Sequence, residues 1–126
     1  MMESVRPKFQ SAIGVAMAVE AATFWTAAGL HFAAGITDAA VPETIIGLVM
    51  AAGSVAVLAR RAGAWRAALT THVLAIVGVL VGISTIASGI GPQTAPDIAY
   101  HVSILVALAV GLVLLSRPQG RAAFGR

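Results

Sequence analysis

Six side chains in this sequence could bind or move something: Glu20, His31, Glu43, His72, Asp97 and His101. Glu20 stands inside the apolar run "AMAVEAATFWTAAGLHF", where an acidic group in hydrocarbon costs about 2.5–3.5 kcal/mol on insertion scales. Burial favours its neutral form, and no Lys or Arg lies within an apolar run to pair with it. It is therefore expected to face the interior of a helical bundle. Its candidate partners are His72, Thr70, Thr71, Ser54, Ser84, Thr85, Ser103 or a bound ligand. One reading is a protonated Glu20 hydrogen-bonded across helices. The other is a site for a proton, cation or substrate.

His31 follows Glu20 by almost three helical turns, so the two share a face about 16 Å apart along a helix. Phe24, Ala27 and Ala28 lie between them and are expected to leave room on that face. Asp97 and His101, spaced i and i+4, share a face near one end of their own apolar run. Glu43 opens another run. If three helices bring "LHF", "PET" and "PDIAYH" to one mouth, two imidazoles and two carboxylates meet there, with Asp38 in the adjoining loop.

As ligand types, His31, Glu43, Asp97 and His101 suit Zn, Fe, Mn or Cu, and no spacing chooses among them. His31 and His101 alone could be the axial ligands of a haem. The plainer alternative makes Asp97 a helix cap, Glu43 a complement to a helix start, and the histidines partners of those carboxylates. His72 lies towards the other end of its run. It either packs or snorkels at a membrane boundary, or ends a proton path from His31 or His101 through Glu20. Met17 and Met50 are read as core filler rather than ligands. A phosphate loop and a GxSxG nucleophile elbow are both absent from the sequence.

The elements that must position these groups are legible from composition. The chain has 126 residues, of which 59% are hydrophobic and 10% charged. Mean hydropathy is +0.93. An ordinary soluble domain carries roughly a quarter charged residues. The expectation is an all-α integral membrane four-helix bundle, running up-down-up-down as one domain over residues 1–126. Its spans fall at about 10–34, 42–59, 67–90 and 98–116. "GITDAAVPE", "RRAGAWR" and "GIGPQTAPD" separate the spans. Pro42 suits the first turn of the second span, and Pro96 with Asp97 suits the start of the fourth. The "AAG" at 33–35 after a basic start mimics a signal-peptide cleavage site, but the apolar run is too long and Glu20 interrupts it.

All eight basic residues fall before span one, between spans two and three, or after span four. By the positive-inside rule both termini are expected in the cytoplasm of a bacterial inner membrane. The net charge of +3 then reflects anchoring, and nucleic acid is not an expected partner. The absence of cysteine excludes disulfides, thiolate metal sites, iron–sulfur clusters and cysteine nucleophiles. Trp65 and Tyr100 are expected at the two membrane boundaries. Small residues at Gly14, Ala18 and Ala22, at Gly78 and Gly82, and at Ser103, Ala107 and Gly111 are expected to let helices approach closely. No internal repeat or low-complexity tract stands out.

Four spans in this length with a carboxylate in the first is similar to the small multidrug resistance transporters, on "AVEAA" around Glu20. That resemblance implies a Glu20 exchanging protons for a cationic substrate. Spans two to four carry no matching pattern, and the uniform basic bias departs from dual topology. Two functional classes follow. The first is a binding or accessory protein whose outward-facing His/carboxylate pocket holds a transition metal or haem, alone or beside other membrane subunits or a second copy. The second is a small proton-coupled transporter built on Glu20, with His72 beside it. Nothing in the sequence identifies a reaction.

Overall fold

The computed structural model describes the backbone of residues 2–126 and the side chains of residues 6–126. It contains α1 (Met2–Ala33), α2 (Thr37–Leu58), α3 (Ala64–Ala87), α4 (Ala95–Ser116) and a short α5 (Pro118–Ala123). The first four hold the stretches Arg6–Ala33, Thr37–Leu58, Ala64–Ala87 and Ala95–Ser116. Each is long and apolar enough to cross a membrane. The chain is thus all-helical and compatible with a four-helix membrane bundle.

The connections are tighter than the sequence suggests. Gly35 adopts a left-handed φ of +76°, and the Ile36 N–H donates to the His31 carbonyl at 2.8 Å, closing α1 within three residues. The helix that follows starts at Thr37 rather than near Pro42, because "TDAAV" continues straight into it. Pro42 therefore lies inside α2, not in its first turn. Its missing N–H leaves the Asp38 carbonyl without the usual partner four residues on, a loss of one rung near the start of the helix. At the start of α4, Thr94 caps the helix: its side chain accepts from the Asp97 N–H at 3.3 Å, and its hydroxyl donates to the Asp97 carboxylate. Pro96 and Asp97 mark that helix start as expected. The turn α5 has no counterpart in the sequence reading.

Glycines set how closely the helices approach. A Cβ added at Gly14 would meet Leu58, one at Gly53 would meet Met17 and Thr71, and one at Gly78 would meet Ile46. Gly82 lies against His101, and Gly111 against His72. In each pair an early residue of one helix meets a late residue of its neighbour, so successive helices pack antiparallel. Ala18, Ala22, Ser103 and Ala107 point outward instead, and the close approaches belong to the glycines. Met17, Phe24, Met50, Val57, Leu108 and Leu115 form the buried centre. Val15, Leu30, Ile45, Leu48, Val77 and Val106 are all more than half exposed, which in hydrocarbon has no solvation cost.

The two ends of the bundle differ. The α1–α2 and α3–α4 connections lie together at one end, here called the loop end. At the other, terminal end, Lys8 and Arg60 line one groove, and Arg60, Arg61 and Arg126 line another. Trp65 belongs to this end. It donates to the Leu115 carbonyl at 3.0 Å and lies beneath the Arg121 guanidinium, 5.7 Å from its ring centroid.

Candidate functional site

At the loop end, three helices converge on His31, which comes from the last turn of α1. The tight Gly35 turn brings the start of α2 back across it, and Glu43 Oε2 lies 2.7 Å from His31 Nδ1. From the first turn of α4, Asp97 Oδ1 lies 2.9 Å from His31 Nε2. His31 and Glu43 are buried. Two hydrogen bonds among two acids and one imidazole require two protons on the three groups. Wherever those protons sit, the group carries a net charge of −1. No Lys or Arg is paired with it, and the basic side chain beside it is the imidazole of His101.

His101 sits one turn beyond Asp97 and is held differently. Its Nδ1–H donates to the Asp97 backbone carbonyl at 2.8 Å, which leaves Nε2 as the ring nitrogen turned towards α3. A Cβ on Gly82 would fall 2.7 Å from that Nε2. Tyr100 packs edge-on against Phe24, with centroids 6.3 Å apart, and against His101 at 5.0 Å.

These side chains surround a cavity of about 160 Å³ lined by all four long helices, with Phe24 as its floor and His31, Glu43, Tyr100 and His101 on its walls. Two polar atoms of residues that line it, Glu43 Oε1 and the Tyr100 hydroxyl, are buried with no hydrogen-bond partner. An unsatisfied buried polar group costs about 1–3 kcal/mol, so the Glu43 oxygen calls for a donor and the Tyr100 hydroxyl, which can donate or accept, for a partner of either kind.

A second polar layer lies deeper, towards the terminal end. Glu20 and His72 are both buried, with His72 Nε2 3.8 Å from Glu20 Oε2. The His72 Nδ1–H donates to the Ala68 carbonyl at 2.8 Å, and Glu20 Oε2 has no partner. By register the two layers are separated by buried Phe24, Met50, Ala75, Val79, Ile104 and Leu108.

The structure thus brings together His31, Glu43 and Asp97, places His101 beside them on the same cavity, and pairs Glu20 with His72. It does not arrange the first four as a metal or haem site. Both nitrogens of His31 are engaged by carboxylates, so a metal or a haem iron would have to displace one of them. Among the described residues, no three His, Asp or Glu side chains are grouped to hold an ion. His72 does not snorkel, being only 2% exposed. On the face between Glu20 and His31, Phe24 fills the deeper part, and the expected room is confined to the cavity between Phe24 and His31.

Tyr100 is not a boundary anchor but a wall of the cavity. It could have been found from its position beside His101, one turn past the Thr94 cap. Gly82 and Gly111 were expected to allow a close approach, but that each would seat a histidine was not legible, because nothing in one helix says which side chain of the next will rest on it. Compared with known proteins, the chain matches no family model, no curated protein and no solved structure. The similarity to small multidrug resistance transporters therefore stays confined to the stretch around Glu20.

Proposed function

We propose that this chain is a four-span protein of the bacterial cytoplasmic membrane, up-down-up-down with both termini inside, and that its outward-facing pocket binds a small organic cation bearing N–H donors. The orientation rests on the basic residues gathered at the terminal end. The observation that carries the binding role is the cavity beside His31, where Glu43 Oε1 is buried without a donor in a group of net charge −1. A cation with hydrogen to donate answers both needs. Apart from Asp38 and Thr85 the remaining wall is apolar, and the volume admits only a handful of non-hydrogen atoms. A membrane complex with other subunits, or a second copy of the chain, remains compatible with this role.

The test is calorimetric titration of the protein in mild detergent with ethanolammonium, beside neutral ethylene glycol of the same heavy-atom count. Saturable binding of the cation alone, weakened about tenfold or more in Glu43→Gln, is expected. Equal affinity for the neutral diol, or no change in the variant, would remove the reading. A Soret band or near-stoichiometric metal in the natively expressed protein, lost on His31→Ala and His101→Ala, would replace it with the metal or haem reading.

A second reading is proton-coupled transport through Glu20, and it is favoured by the unpartnered Glu20 Oε2 facing His72. Its test is proton movement into proteoliposomes followed with an internal pH dye. Unchanged movement in Glu20→Gln would sink it.

A further inference from the structure

The residues 72–82 read "HVLAIVGVLVG" and the residues 101–111 read "HVSILVALAVG". Aligned on their histidines, they share His72/His101, Val73/Val102, Val77/Val106, Val81/Val110 and Gly82/Gly111. The match extends to burial. All three valine pairs are exposed, whereas His72/His101, Ala75/Ile104 and Val79/Leu108 are buried at both places. It extends to bonding as well, for each histidine donates from Nδ1 to the carbonyl four residues back at 2.8 Å.

Because α3 and α4 run antiparallel, each histidine rests on the glycine that ends the other copy: His72 on Gly111 and His101 on Gly82. Each also has a buried glutamate with one unpartnered oxygen at its level, Glu20 from α1 or Glu43 from α2. A half-turn about an axis between α3 and α4 would exchange those two helices and their histidines, whereas α1 and α2 do not follow it, since α2 packs along α3 and α1 scarcely touches α4. The two copies differ in access. The Glu43 layer opens on the cavity, and the Glu20 layer lines none of the pockets described above.

We infer that α3 and α4 are one helical unit used twice in opposite directions, and that Glu20 with His72 forms a second, closed copy of the cation site that Glu43 and His101 form at the open end. This rests on the outward-pocket reading above and extends it. Inverted repeats give a membrane protein two arrangements of similar energy, each open to one side, with the repeat axis between them. A cation admitted beside Glu43 is then released beside Glu20 when the halves exchange conformations, so binding becomes transport. No bond is made or broken in the step. The cation passes from one carboxylate to the other, and the emptied carboxylate is left for a proton or another cation.

The experiment compares uptake of radiolabelled ethanolammonium into proteoliposomes at mildly acidic pH, with protein-free vesicles as the blank, against binding of the same ion in detergent. Wild type should show saturable uptake. Glu20→Gln should lose uptake about tenfold or more while keeping detergent binding at the outer pocket, and Glu43→Gln should lose both. Wild-type binding without uptake, or wild-type uptake in Glu20→Gln, would overturn the second site and leave the pocket reading standing. Absence of both binding and uptake in wild type would overturn both. Should Glu20→Gln fail to fold, His72→Gln takes its place, with the same two measurements and the same expected loss of uptake alone.

Discussion

His31 is the residue through which the loop end is organised, and its two bonds make different demands. Asp97→Asn replaces a charged partner of His31 Nε2 by a neutral amide, so the polar link between α4 and α1 is weakened. Breaking one partner of a buried, hydrogen-bonded ion pair costs about 3–5 kcal/mol, and the partial exposure of Asp97 brings the expected loss in Asp97→Asn to about 2–3 kcal/mol. Thermal unfolding in detergent reads this directly, and a midpoint shared with wild type would show that the pair contributes nothing. Tyr100→Phe makes the opposite prediction. The hydroxyl has no partner, so its removal should leave stability unchanged or slightly raised while weakening ethanolammonium binding a few-fold, if the ligand supplies the missing contact. Titration of that variant beside its melting curve separates the two effects. At this scale the sequence was informative about residue type but not about pairing. The i, i+4 spacing of Asp97 and His101 pointed to a side-chain contact, yet His101 bonds the Asp97 carbonyl and the carboxylate goes to His31. A helix face shows which side chains are near each other and leaves open which atom another helix will claim.

Among the elements, the glycines decide how close the helices come and therefore whether the polar layers form. Alanine in a helix is favoured over glycine by about 1 kcal/mol, so an indifferent position should gain stability on substitution. Gly29 is such a position, with nothing within 4 Å of an added Cβ, and Gly29→Ala should raise the melting temperature. At Gly82 and Gly111 the added methyl meets an imidazole held by its own backbone bond, which cannot swing away without losing that bond. Overpacking of this kind costs about 1–3 kcal/mol, enough to outweigh the propensity gain. Both variants should melt below wild type, and by similar amounts if the two layers are copies. Differential scanning calorimetry of the three variants tests the sign at each position, and stabilisation at Gly111 would mean that His72 is free to move. The four helices were legible because long uncharged runs have one reading in a chain this apolar. Their starts were less so. Pro42 looked like a first-turn proline, whereas the Gly35 turn began α2 at Thr37 and left the proline inside. The helical repeat was hidden because it spans only eleven residues and runs in opposite directions in space, so comparing one half of the chain with the other passes over it.

For the molecule as a whole, the asymmetry of charge and the near-symmetry of the helices pull in different directions. An inverted repeat by itself has no preferred orientation, since a half-turn exchanges α3 with α4. The basic residues break that tie. Arg60, Arg61, Arg66 and the residues flanking α1 and α4 crowd the terminal end, while Asp38 and Asp97 stand towards the loop end. Each cationic side chain near an anionic membrane surface contributes about 1 kcal/mol, and only the retained face carries that surface and the insertion bias together. The chain has no cysteine, so single introduced thiols report position without background. A cysteine at Gln93, in the α3–α4 connection, should react with a membrane-impermeant maleimide in intact spheroplasts. One at Ala62, between α2 and α3, should react only after the membrane is opened. Equal labelling of the two sites would mean that the chain inserts both ways, in which case the Glu43 pocket faces the cytoplasm in half the molecules and two opposed copies could do together what the repeat is proposed to do alone.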